Sequence, residues 1–187
     1  MRGSYPDLVE KRMAPFILGD DLSIIRHPVD FIGVNYYEPE YRRSAPGAPF
    51  NTEGTMPSDI AATDSGALIE PDGLYEELVQ LRNQYGNPPI YVTENGAAFE
   101  DHADSNFRAR DVKRIEFLRE HVIASHRALS DGVNLRGYFV WSLLDSFEWR
   151  FGFTTRFGLV YVDLATGRRT PKSSFDWYAQ VVRSGFV

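Results

Sequence analysis

The sequence predicts an α/β protein built on a parallel sheet, and three observations predict it. Apolar runs rich in β-branched and aromatic residues recur at 29–37, 89–94 and 135–145 and read as buried strands. Two stretches with helical spacing of apolar residues, at about 71–85 and 111–129, lie between them. That alternation is the pattern of βα units, whose strands run parallel. Each strand also ends in polar or aromatic groups: Asn35 and Tyr37, then Glu94 and Asn95, then Trp141 with Glu148 beyond. Parallel strands put these tips on one edge of the sheet, where α/β proteins bind their ligands.

Taken in order, the chain opens with short helical pieces. Asp7 is placed to cap one over Leu8–Met13, and Asp20 or Asp21 another over Leu22–Arg26, which Pro28 terminates. Val29 to Tyr37 is the first strand. Residues 38–71 are rich in Pro, Gly and Ser and read as a long loop, with Glu38 and Glu40 as solvated charges. Pro71 opens a helix carrying Leu74, Leu78 and Leu81, closed by Tyr85-Gly86-Asn87-Pro88. The central strand, residues 89–94, stops at Asn95-Gly96, a turn signal. A helix over about Asp111–Leu129 has Val112, Ile115, Leu118, Val122 and Leu129 on its expected inner face. Lys113, Arg114, Glu116, Arg119 and Glu120 are expected in solvent. Leu135–Asp145 is the third strand. The aromatic segment around Phe147, Phe151 and Phe153 reads as core or pocket wall, and Asp145 as a turn or N–H-binding residue. A hairpin around Ala165-Thr166-Gly167 and a helix over Ser173–Arg183, with Phe175, Tyr178, Val181 and Val182 as its apolar side, close the chain.

Composition narrows the function. The 187 residues suffice for one sizeable core. A net charge of −6 argues against nucleic acid, whose affinity comes largely from Lys and Arg neutralising phosphates. The absence of Cys excludes disulfides, thiolate metal sites and a Cys nucleophile. The four His show no metal-ligand spacing, no Gly-rich phosphate loop occurs, and no cofactor is expected. No apolar run approaches about 18 residues, so no membrane span is expected. The N-terminal Met-Arg-Gly-Ser-Tyr-Pro-Asp lacks an apolar signal-peptide core, so the expected location is cytoplasmic. Aromatics make up 14% of residues. With a carboxylate flanked by Asn, Tyr and Trp, they suggest carbohydrate, whose C–H faces stack on rings and whose hydroxyls bond to carboxylates and amides. A carboxylate at the base of such a pocket can attack an anomeric carbon, provided a second carboxyl protonates the leaving oxygen. No residue of the chain is an obvious candidate for that acid.

Four segments then resemble one family. Tyr-Val-Thr-Glu94-Asn-Gly resembles the nucleophile motif of glycoside hydrolase family 1, the β-glucosidase family. Asp-Phe-Ile-Gly-Val-Asn35-Tyr-Tyr37 is similar to its preceding strand. Gly-Tyr-Phe-Val-Trp141-Ser-Leu-Leu-Asp-Ser-Phe-Glu148-Trp149 and Arg-Phe157-Gly-Leu-Val-Tyr-Val-Asp163 resemble its last strand and following segment. The resemblance implies part of a (β/α)₈ TIM barrel, its sixth to eighth strands, within a single barrel domain that residues 1–187 end. It implies retaining hydrolysis of a β-glycoside through a covalent glycosyl-Glu94 intermediate. It implies that Tyr37 orients the nucleophile and that Asn35, Trp141, Glu148, Trp149 and Phe157 contact the sugar. Family members acting on 6-phosphorylated sugars usually carry Ser at the position of Glu148, so an unphosphorylated β-glucoside or related glycoside is the expected substrate. The family's acid/base Glu belongs to an Asn-Glu-Pro motif on the fourth strand and is absent. Glu38-Pro39 copies two of its letters after the wrong strand. A full barrel takes about 250 residues, so the first five strands are expected outside this chain. The other expectation is a non-catalytic module that binds sugar or self-associates through its unfinished edges.

Overall fold

The computed structural model describes residues 4–185, the side chain of Leu8 excepted. Met1–Gly3, part of the stretch inspected for a signal peptide, lie outside the described residues. The elements are α1 (Asp7–Met13), α2 (Asp21–Ile25), β1 (Ile32–Asn35), β2 (Arg42–Ser44), β3 (Thr52–Gly54), α3 (Pro71–Tyr85), β4 (Ile90–Asn95), α4 (Val112–Ser130), β5 (Leu135–Val140), β6 (Val160–Val162), β7 (Arg169–Pro171) and α5 (Ser173–Ser184). β1, β4 and β5 form a sheet in the order β1-β4-β5, and both pairings are parallel. α3 joins β1 to β4 and α4 joins β4 to β5, the βα units that the alternation predicts. The region 38–71 is not structureless, since β2 and β3 pair there as an antiparallel ribbon. β6 and β7 form the expected hairpin.

The helices cover one face of the sheet. Leu74 and Leu78 of α3 and Ala128 of α4 pack on Val34, Ile90 and Val92, all buried. Alternation along a strand explains the choice: Ile90 and Val92 point to the helices, Tyr91 and Thr93 to the other face. α3 begins with Pro71 at its first turn and ends at Gly86, whose left-handed backbone (φ 75°) lets its N–H bond to the Arg82 carbonyl. A second cluster joins Ala97, Phe99, Phe117, Leu118 and Leu159 to Phe175 and Tyr178 of α5.

Several expectations are corrected here. The third strand ends at Val140 rather than Asp145. Beyond it the chain leaves β4 and runs beside 157–160, with the Ser142 carbonyl accepting the Leu159 N–H at 2.9 Å. The first strand is confined to Ile32–Asn35. Val182 of α5, and Phe147 and Phe153, are exposed. In α4, Val112 and Leu129 are also exposed, and the buried face is Arg114, Phe117, Leu118, His121, Ala124, Ser125 and Ala128. The helix is rotated because polar groups on that face find buried partners, which a hydrophobic stripe does not reveal.

Arg114, expected in solvent, is 0% exposed. It is ion-paired with Asp101 at 2.7 Å and Asp111 at 2.6 Å. Lys172, also fully buried, bridges Asp101 at 2.6 Å and Asp145 at 2.9 Å. Burial lowers the Lys172 ammonium below its ordinary range and the Arg114 charge acts the same way, against the two aspartates. Asp145 also accepts the N–H groups of Gly158 and Val162. Removing one member of such a cluster leaves a buried charge uncompensated, a loss of roughly 3 kcal/mol or more. Lys172→Met is therefore expected to lower unfolding free energy by about 3 kcal/mol, as measured by urea unfolding.

His121 fills the same helix face. Its ring stacks on Phe117 at 3.9 Å, its Nδ1 bonds to the Phe117 carbonyl, and its buried Nε2 has no partner among the described residues. Burial pushes its folded-state pKa down to about 4, while the unfolded chain titrates near 6.5. Below pH 6.5 the unfolded state therefore binds a proton that the folded state refuses. Stability is full above pH 6.5 and falls as pH drops toward 4, by roughly 3 kcal/mol. Urea unfolding at pH 7 and pH 4 is expected to show this loss, and His121→Leu to remove that share of it.

Candidate active site

Glu94 stands at the C-terminal end of β4, and its orientation depends on an irregularity. Strict alternation after Ile90 and Val92 would send Glu94 toward the helices. Against β1, however, Val34 pairs with Val92 and Asn35 with Glu94, so β4 spends one extra residue. Against β5, Val92 pairs with Tyr138 and Asn95 with Val140, again one extra residue. Such a bulge re-aims the side chains beyond it. Asn95 takes the inward position and is 0% exposed; its amide donates to the Tyr36 carbonyl at 2.8 Å and its carbonyl oxygen accepts the Tyr138 hydroxyl. Glu94 is left at the strand tip, partly buried.

The Tyr37 hydroxyl donates to Glu94 Oε2 at 2.8 Å. Among the described residues Glu94 Oε1 accepts no side-chain hydrogen bond, so one oxygen is held and the other is available. Burial, the bond to Glu94, and the charges of Glu94 and Glu148 hold the Tyr37 hydroxyl well above the usual phenol range. It therefore stays protonated as a donor. The Phe157 ring meets Tyr37 edge-on with centroids 6.1 Å apart. The Tyr36 N–H, one residue before, bonds to the Glu94 carbonyl at 2.9 Å, so the backbones of the two strand tips are also tied.

Trp141 follows β5, and its N–H bonds to the Asn95 carbonyl at 2.9 Å. The chain passes so close that a Cβ on Gly96 would lie 1.8 Å from the Trp141 carbonyl oxygen, so only glycine fits there. The Trp141 indole N–H donates to Glu148 Oε1 at 3.3 Å. Burial raises the Glu148 carboxyl; the indole bond opposes this and the Glu94 charge adds to it. Trp141, Glu148, Glu94 and Tyr37 thus share one electrostatic neighbourhood.

The remaining expected contacts are less convergent. Asn35 is at the correct strand tip, but its side-chain oxygen accepts the Thr93 hydroxyl at 2.7 Å. Trp149 is 96% exposed, and its ring meets Phe147 rather than Glu148. Glu38 accepts the Leu68 N–H at 2.8 Å and so ties down the long loop, while Glu40 pairs with Arg42. Asn95, expected both as a turn signal and as a strand-tip group at the site edge, is instead buried beneath it. Its spacing after Glu94 was visible, its inward rotation was not. No group of three His, Asp or Glu side chains among the described residues converges as metal ligands, and no described helix is long and apolar enough to cross a membrane.

The chain is similar to known β-glucosidases over part of their length. β-Glucosidase A of Thermotoga maritima is 41% identical over 186 residues, which are 98% of this chain and 42% of that protein. A bifunctional β-D-glucosidase/β-D-fucosidase of Bifidobacterium breve is 39% identical, over 97% of this chain and 44% of its own length. The solved structure of the Thermotoga maritima β-glucosidase in complex with castanospermine superposes on all of this chain with a TM-score of 0.91 at 40% identity, again over 42% of that chain. This chain therefore spans less than half the length of the relatives it matches. The glycosyl hydrolase family 1 profile matches residues 1–186, and the chain belongs to that family.

Proposed function

We propose that this chain is the nucleophile-bearing, C-terminal portion of a retaining β-glucosidase, with β1, β4 and β5 as the sixth to eighth strands of a (β/α)₈ barrel. The observation that carries the reading is the Tyr37–Glu94 hydrogen bond between neighbouring parallel strand tips. One Glu94 oxygen is fixed by the phenol. The other attacks the anomeric carbon, and the bond to the leaving oxygen breaks as an acid protonates it. Water then attacks the glycosyl-Glu94 ester, the same acid, now a base, takes its proton, and Glu94 is released as carboxylate. We place the acid/base outside these residues, because the family's Asn-Glu-Pro motif is absent from them; Glu38 and Glu40, the carboxylates after the preceding strand, bond instead to Leu68 and Arg42.

Trp141 provides the flat ring for the sugar, and Glu148, held by the indole, accepts hydroxyls remote from the anomeric carbon. A carboxylate there would repel a phosphoryl group, which favours an unphosphorylated β-glucoside or β-fucoside. The names of the relatives are consistent with both. Two features support completion by further strands: among the described residues β1 and β5 each pair only with β4, and Phe31, Phe139 and Leu143 are exposed large apolar groups. The same free edges favour the second reading, a sugar-binding or self-associating module without turnover.

Hydrolysis of an aryl β-glucoside, by the chain alone and after addition of the first five strands of a family relative, tests the proposal. Glu94→Gln is expected to reduce the rate of the completed enzyme by several orders of magnitude, because the covalent route is lost. Hydrolysis that survives this substitution would sink the assignment. Tyr37→Phe leaves the carboxylate but removes its aim, and a fall in kcat of about 10²-fold is expected from steady-state kinetics.

A further inference from the structure

Arg114 lies on α4, yet its guanidinium reaches two backbone carbonyls of the candidate site. Nε donates to the Ala97 carbonyl at 3.3 Å and Nη2 to the Arg156 carbonyl at 2.7 Å. Ala97 follows Glu94 by three residues, on the chain leaving β4. Arg156 immediately precedes Phe157, whose ring backs Tyr37, the donor to Glu94. One rigid, planar group therefore spans the exit of the nucleophile strand and the segment that backs the nucleophile's donor. Nη1 donates to Asp111, and Nη2 is also ion-paired with Asp101. Asp111 is itself fixed by the Ser174 N–H at 2.9 Å and by the Ser174 hydroxyl. The guanidinium is thus anchored on one side and directs its fork at the site loops on the other.

We infer that Arg114 is a positioning residue for Glu94, setting the separation between the strand exit at Ala97 and the Arg156–Phe157 segment and so holding Tyr37 against the carboxylate. This rests on the reading of Glu94 as nucleophile. A lysine preserves the charge between Asp101 and Asp111, but a point donor cannot bond both carbonyls in the fixed geometry of the fork. Charge balance and positioning are therefore separable in Arg114→Lys.

The test uses the 187-residue chain with ¹³Cζ-labelled tyrosine, the Tyr37 signal being assigned from Tyr37→Phe. The exchange of each slow tyrosine hydroxyl with solvent is read at neutral pH, and folding is checked by circular dichroism. Tyr138 is the internal reference, because its hydroxyl bonds to Asn95 and Arg114 does not touch that pair. Arg114→Lys is expected to remain folded and to speed Tyr37 hydroxyl exchange at least tenfold, with the Tyr138 rate unchanged. Asp101→Asn, which leaves both carbonyl bonds in place, is expected to lower stability without moving the Tyr37 rate. An unchanged Tyr37 rate, equal acceleration of both hydroxyls, or an unfolded Arg114→Lys chain would each make Arg114 a fold anchor and overturn the inference. The readout needs no turnover, so a failure of the nucleophile assignment would show separately, in the hydrolysis assay.

Discussion

The position of β4 between two parallel neighbours, with one residue more between Val92 and Asn95 than either neighbour carries alongside it, is the constraint on which the site depends. Flanking strands on both sides leave β4 no freedom to slip, so the extra residue is absorbed locally, between Val92 and Asn95. The consequence is a pair of opposite rotations. Asn95 turns inward, where its amide bonds to the Tyr36 carbonyl just beyond β1 and its oxygen to Tyr138 of β5. Glu94 turns out to the edge, where Tyr37 meets it. The buried amide makes the irregularity stable, since an Asn with both polar ends satisfied costs little inside the sheet, whereas an unsatisfied one would cost about 1–3 kcal/mol.

Behind that edge the molecule uses charge where a small α/β unit would ordinarily use hydrocarbon. Arg114, Lys172, Asp101, Asp111 and Asp145 lie almost wholly out of water, and Arg156 joins Asp145 from a less buried position. Clusters of this kind add little net stability, because desolvation offsets most of the attraction. What they add is direction. Each carboxylate has two acceptor oxygens and each guanidinium a fixed fork, so the partners define distances that an apolar contact would leave adjustable. The groups held in this way are backbone segments after β4, before β6 and at the end of β6, and Asp145, after β5, is one of the side chains that hold them.

The covered and uncovered faces of the sheet differ in the same sense. The helix face is closed by Leu74, Leu78 and Ala128. On the other face the Phe31 ring meets Tyr91 edge-on at 5.3 Å, and Phe31 and Phe139 remain exposed. Isolated exposed apolar residues are common on proteins, but here they sit beside β1 and β5, each of which pairs only with β4 among the described residues, an arrangement that proteins ordinarily cover. On the proposed reading of β1, β4 and β5 as barrel strands, that open face is the inside of the barrel, and the chain spans less than half the length of the relatives it matches.

The sequence by itself determined the order of the three parallel strands and their helices, the C-terminal hairpin and the family, but not the β2–β3 ribbon. These follow from period, turn residues and local motifs, which act over a few residues and leave their mark in the letters. Glu94, Tyr37, Trp141 and Glu148 were also legible as strand-tip groups, because a carboxylate or phenol after an apolar run is a local signal. Only the tertiary structure decided which way they point. The bulge at 93–94 depends on pairing with strands more than 40 residues away in each direction, and alternation alone would have turned Glu94 to the helices. The burial of Arg114 and Lys172 was equally hidden. A charged residue on an amphipathic helix reads as solvated unless its partners are known, and Asp101 and Asp145 meet Lys172 across 71 and 27 residues of chain. The exposure of Trp149 was hidden for the opposite reason: hydrophobicity predicts burial only where something in the fold is there to cover it.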